Sequence, residues 1–151
     1  GDLPARVRAY CARTGQPAPE DEAAVVRCVL DSLALGYRRT VEDLATVTGR
    51  PVTAVHIVGG GSRNQLLNQA VADVTGVPVI AGPVEATALG NICVQLIALG
   101  DIKDLSQARE VVRAGAGPEI RRVEPSTADR LAERYGRYRE LVAADRLEVG
   151  V

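Results

Sequence analysis

The stretch HIVGGGSRN, residues 56–64, sets the terms for the whole chain. Val55, Ile57 and Val58 form a short apolar run that ends at Gly59, Gly60 and Gly61, and a helix-like pattern follows Asn64. A strand that passes through a glycine turn into a helix N-terminus belongs to α/β architecture. Glycine lets a backbone approach a ligand closely and reach positive φ. The first N–H groups of a helix have no intrahelical acceptor and favour anions. The stretch therefore predicts a phosphate or nucleotide site.

Hydrophobic spacing on either side predicts alternating helices and strands. Residues 3–11 can form a short helix, followed by a proline-rich loop. Val26, Val29, Leu30, Leu33, Tyr37, Val41 and Leu44 recur at steps of three and four, which predicts a long amphipathic helix over 21–48. Gly49 and Pro51 end it, and Gly36 is a place where it can bend. Residues 54–58 and 77–81 are short, β-branched runs between turn residues and read as buried strands. A helix over 63–75 joins them, giving a βαβ unit with parallel strands. Gly82 and Pro83 turn the chain into a helix over 85–99, and another follows over 105–114. A short edge strand over 119–123 precedes a last helix running to about residue 144, with Ser126 and Asp129 spaced as in a capping box. Two or three strands among so many helices predict an α/β fold whose sheet is incomplete, its other strands preceding residue 1.

The chain has no Phe, Trp or Met and only four Tyr, so Ala, Val and Leu must fill the interior. The net charge is −1, which argues against a nucleic-acid partner. No apolar run has the length of a membrane span, and no basic-then-apolar leader opens the chain, so no membrane partner is expected. Cys11, Cys28 and Cys93 lack a CxxC spacing and a histidine at ligand spacing, which argues against a metal site. Unpaired thiols fit a reducing, cytoplasmic setting. Cys11 and Cys28 can meet if the opening segment folds back on the long helix, with pairing left open. The lack of methionine, even at position 1, predicts a single partial domain over 1–151, part of a longer protein.

Four readings of the glycine stretch compete. A dinucleotide fingerprint needs G-x-G-x-x-G or A and an acidic residue closing the second strand. Here Asn64 stands at the last position of the first element, and Ala81, Gly82 and Pro83 stand at the second. A P-loop needs lysine after the last glycine, and the single lysine is Lys103. Close packing alone would need fewer glycines, because each adds to the entropy lost on folding. The fourth reading is a nucleotide loop of another kind, with the glycine backbone against the nucleotide. Asn64, whose amide can donate and accept, then suits an adenine edge.

GGGSRNQLLNQAVAD followed by GVPVIAGPVEATALGN resembles the C-terminal domain of the FGGY family of carbohydrate kinases, over about residues 1–125. The resemblance implies the C-terminal part of an actin-like, ribonuclease-H-like ATPase domain. It implies ATP-dependent phosphorylation of a ketose, with L-rhamnulose at O1 the best-matched acceptor, and Mg2+ as ATP's partner in the intact enzyme. Fuculokinase, xylulokinase and glycerol kinase types, and a non-enzymatic actin-like module, are the alternatives. By resemblance, Gly59, Gly60 and Gly61 pack against the nucleotide and Asn64 contacts the adenine. The family's catalytic aspartate would precede residue 1, so no catalytic residue is assigned here. The partners implied are ATP, a small sugar and the N-terminal domain of the same protein.

Other residues keep two readings each. His56, the only histidine, reads as a hydrogen-bonded scaffold residue rather than a base. Asn68 lies one turn beyond Asn64 and either supports the loop or faces solvent. Asp73 reads as structural, and Arg63 reaches a nucleotide or water. Glu85 suits a helix start. Ala86, Ala88 and Gly90 serve either close approach to a ligand or core packing.

Overall fold

The computed structural model describes residues 1–126 and 131–149. Its elements in order are α1 (Leu3–Arg13), α2 (Glu22–Thr48), β1 (Val55–Ile57), α3 (Gln65–Thr75), β2 (Val79–Ala81), α4 (Ala86–Leu99), α5 (Leu105–Ala116), β3 (Arg121–Val123) and α6 (Ala132–Val149). Short 3-10 helices span Gly59–Arg63 and Gly117–Glu119. Side-chain oxygens of Asp2, Asp21, Asn64 and Asp104 cap the N-termini of α1, α2, α3 and α5.

The sheet order is β1-β2-β3. β1 and β2 run parallel, pairing Val55 with Val79 and Ile57 with Ala81. β3 is the edge strand anticipated at 119–123, but it runs antiparallel to β2, with Val123 opposite Val79 and Arg121 opposite Ala81. The sheet is therefore mixed. The strands are shorter than the apolar runs that predicted them; β2 begins only after Pro78, which has no N–H to donate and whose carbonyl accepts from Val55 N at 3.0 Å.

α3 packs between the sheet and α2. It buries Leu67, Ala70, Val71, Ala72 and Val74 against Ile57, Val79 and Ala81 of the strands, Ala34 and Leu35 of α2, and Leu131 and Tyr135. The interior is aliphatic and small, as the composition requires, and small residues let neighbouring elements approach closely. A second cluster, Cys93, Ile102 and Ala108, holds α4 to α5.

α2 runs through Gly36 unbroken. That glycine makes room for α6, since a Cβ there would lie 3.4 Å from the Tyr138 hydroxyl. α1 does fold back on α2, and all three cysteines are free thiols. Burial, and next the neighbouring Cys11, push the Cys28 thiol above its ordinary pKa. α6 continues to Val149, past the expected end near 144. Asp129 of the anticipated capping box lies outside the described residues; Ser126 instead donates its backbone N–H to Asp73 Oδ1 at 2.7 Å. No helix among the described residues is long and apolar enough to cross a membrane.

Candidate functional site

The glycine stretch is not an open turn. Residues Gly59–Arg63 wind into a 3-10 helix that delivers the chain to α3. Gly59 alone among its glycines has positive φ, +73°. Conformation therefore requires glycine at one place only. At Gly61 a Cβ would touch Ile57 Cγ2 at 3.4 Å, an ordinary contact. At Gly60 a Cβ would meet no atom of the described protein within 4 Å. Neither internal packing nor backbone conformation requires glycine at Gly60, and its backbone is open to approach from outside.

Both ends of this short helix are anchored. At the front, Gly59 N donates to Pro83 O at 3.1 Å and Gly82 N donates to Ile57 O at 2.9 Å. These bonds lace the end of β1 to the turn after β2 and bring the start of α4 beside the glycines. At the rear, Ser62 is buried, and its carbonyl accepts from Asn68 Nδ2 at 2.8 Å and from Arg121 Nη2 at 2.9 Å. Ser62 Oγ donates to Gly59 O at 2.7 Å, closing the helix on itself. Asn68 is only 1% exposed, and its Oδ1 has no hydrogen-bond partner among the described residues. A buried acceptor left unpaired costs about 1–3 kcal/mol. The bond from Nδ2 to the loop is the evident reason an amide occupies this position.

The anticipated ligand residues Gly59, Gly60, Gly61 and Asn64 lie within residues 59–64 and are exposed except for the half-buried Gly59. Asn64 caps α3, its Oδ1 accepting from Leu67 N at 3.0 Å. Its amide oxygen is thus engaged in the helix cap. Asn68 supports the loop rather than facing solvent. Asp73 is structural, since Oδ1 accepts from Gln69 Nε2 at 2.8 Å as well as from Ser126 N.

His56 differs from expectation. It is exposed on β1 and makes no side-chain hydrogen bond among the described residues, because the alternation that buries Ile57 turns it outward. Arg63 and Glu85 are exposed. Glu85 precedes α4 without a side-chain capping bond. Ala88 and Gly90 are exposed, and a Cβ at Gly90 would meet nothing within 4 Å, so core packing does not account for that glycine. No group of three or more His, Cys, Asp or Glu side chains among the described residues is arranged to hold a metal ion. Sequence reasoning missed Ser62 and Arg121. Arg121 lies 59 residues from Ser62, and no local pattern distinguishes it from the chain's many other arginines.

Helices around a small mixed sheet, with a glycine-rich turn between β1 and α3, form the C-terminal domain of an actin-like ATPase fold. The chain belongs to the FGGY family of carbohydrate kinases, whose C-terminal domain model matches residues 2–99. It is 46% identical over 111 residues to the rhamnulokinase of Bacteroides thetaiotaomicron, covering 74% of this chain and 23% of that protein. It is 47% identical over 114 residues to the rhamnulokinase of Klebsiella pneumoniae, covering 76% and 23%. It is 46% identical over 127 residues to that of Enterococcus faecalis, covering 83% and 26%. The chain thus spans about a quarter of the length of the curated relatives it matches.

Proposed function

We propose that residues 1–151 are a single partial domain, the nucleotide-binding C-terminal part of a kinase that transfers phosphate from ATP to a ketose, L-rhamnulose at O1. The observation that supports the nucleotide site is the glycine helix itself: it is anchored at both ends, with the backbone of Gly60 and Gly61 exposed between the anchors and open space beside Gly60. The rhamnulose assignment follows the relatives at 46–47% identity. In this reading the backbone of Gly59, Gly60 and Gly61 lies against the nucleotide, and Asn64 Nδ2 donates to the adenine. The N-terminus of α3, an 11-residue helix, adds a favourable field for the phosphates.

Phosphoryl transfer depends on placing nucleotide, metal and attacking hydroxyl together. This chain's share is to hold and orient ATP. The base that takes the hydroxyl proton is an aspartate at the start of the C-terminal domain, before residue 1, and most sugar contacts belong to the N-terminal part of the parent protein. Mg2+ keeps waters and takes few protein ligands, so it would be held through the ATP phosphates rather than by side chains of this chain, and would supply positive charge there. The setting is the cytoplasm, where ATP is abundant and thiols such as Cys11 and Cys28 stay reduced.

Gly60→Leu tests the reading. Gly60 lacks positive φ and neighbouring atoms, so the variant folds with unchanged thermal stability. Its affinity for ATP, measured by calorimetry on the full-length enzyme, falls by at least about tenfold, or ~1.4 kcal/mol. Unchanged affinity in a folded variant would remove the loop from the nucleotide site.

A further inference from the structure

The glycine helix has too few bonds of its own to hold a single shape. It is short, 3-10 bonds are poorly aligned, and glycine has the most backbone freedom to lose. What fixes it comes from outside. The turn after β2 holds its front end through Pro83 O. At its rear end, donors from separate elements converge on one carbonyl, Ser62 O: Asn68 Nδ2 of α3 at 2.8 Å and Arg121 Nη2 of β3 at 2.9 Å. Gly60 and Gly61 lie between the anchors, exposed.

From this geometry we infer that Asn68 and Arg121 are positioning residues of the nucleotide site. They act through the Ser62 carbonyl to set the curvature of the glycine backbone, and neither has to touch ATP. Asn68 is committed to this task, since it is 1% exposed and its other polar atom is unpartnered among the described residues. Arg121 reaches the loop from a strand that lies outside the segment matched by the family model, residues 2–99. Its register opposite Ala81 of β2 directs it there. Because Arg121 is itself exposed, its loss does not open a cavity in the core. The inference rests on the reading that this loop holds ATP.

The test is steady-state kinetics on the full-length enzyme with ATP and L-rhamnulose. Arg121→Met raises KM for ATP about fivefold, the size expected from losing one hydrogen bond that orders the loop. The kcat and the KM for the sugar stay near wild type. Arg121→Lys, which keeps a cationic donor, recovers part of the ATP affinity. Arg122→Met removes the neighbouring charge, which pairs with Glu124, and leaves KM for ATP unchanged. Asn68→Leu shifts KM for ATP in the same direction, and the Arg121 series stands alone if that core variant does not fold. A fall in thermal stability with wild-type KM for ATP in Arg121→Met would make the residue merely structural and overturn the inference. Should Gly60→Leu raise KM for ATP while Arg121→Met does not, the nucleotide reading stands and this inference fails. Should neither variant move it, both fail.

Discussion

Tyr135 shows how one residue joins distant elements. Its hydroxyl donates to Glu42 Oε2 of α2 at 2.6 Å, and the Arg38 guanidinium lies 4.2 Å from the centre of its ring. Burial first, and the Glu42 carboxylate second, push the phenol up to about 12. Burial alone would raise the Glu42 carboxyl, but the bonds from Tyr135 and Arg38 outweigh it and hold that group below its ordinary value. The tyrosine's folded pKa lies above its unfolded value of about 10, so its contribution to stability is complete below about pH 10 and is lost as pH rises toward 12. Glu42 works in the opposite sense: its contribution is present above the unfolded carboxyl pKa and is lost as pH falls through the lowered folded one. Ultraviolet titration should therefore show a tyrosine midpoint near 12 that is absent in Tyr135→Phe. That variant should also lose about 1 kcal/mol of unfolding free energy. A titration in which every tyrosine ionises near 10 would contradict the bond.

Among elements, the junction after β2 is the most constrained. Gly82 has φ of +114°, and a Cβ there would lie 2.9 Å from the Glu119 carbonyl oxygen. Gly82→Ala meets both a forbidden conformation and a backbone clash, and should cost at least about 2 kcal/mol in urea unfolding. A cost below 0.5 kcal/mol would mean that the β2–β3 approach is looser than described. The helices were legible in the sequence because their signals are local: three- and four-residue spacing along α2, and the turn residues Gly49 and Pro51 that end it. The strands were found but overlong, since apolar runs do not mark where a ladder stops. The antiparallel sense of β3 was not legible, because direction depends on how α4 and α5 return the chain. At the site, the glycines and Asn64 stood out locally, and Asn68 by its helical register. The engagement of the Asn64 oxygen by the helix cap was not foreseen, nor was Arg121, whose role depends on a bond between residues 59 apart. His56 was misjudged as hydrogen-bonded because alternation gives the face of a strand and not what stands opposite it.

For the whole molecule, the division of labour between this chain and its parent makes a clear prediction. On the proposed reading the segment carries a nucleotide loop and no assigned base, so the isolated 151-residue chain should show no ADP release with ATP and L-rhamnulose above the rate without enzyme. Turnover by the chain alone, in an assay coupled to ADP, would place the full catalytic apparatus within it.

The bond from Arg121 to the Ser62 carbonyl carries a consequence beyond the shape of the loop. It makes the conformational equilibrium of β3 and that of the glycine helix parts of one linked system. By reciprocity, whatever nucleotide does to protect the loop from opening it must also do, in some measure, for the edge of the sheet. Fraying at that edge must in turn loosen the glycine helix. If the loop holds ATP as proposed, a strand of three residues, beyond the segment that the family model matches, is a place where ATP affinity can be tuned without altering any group that touches ATP.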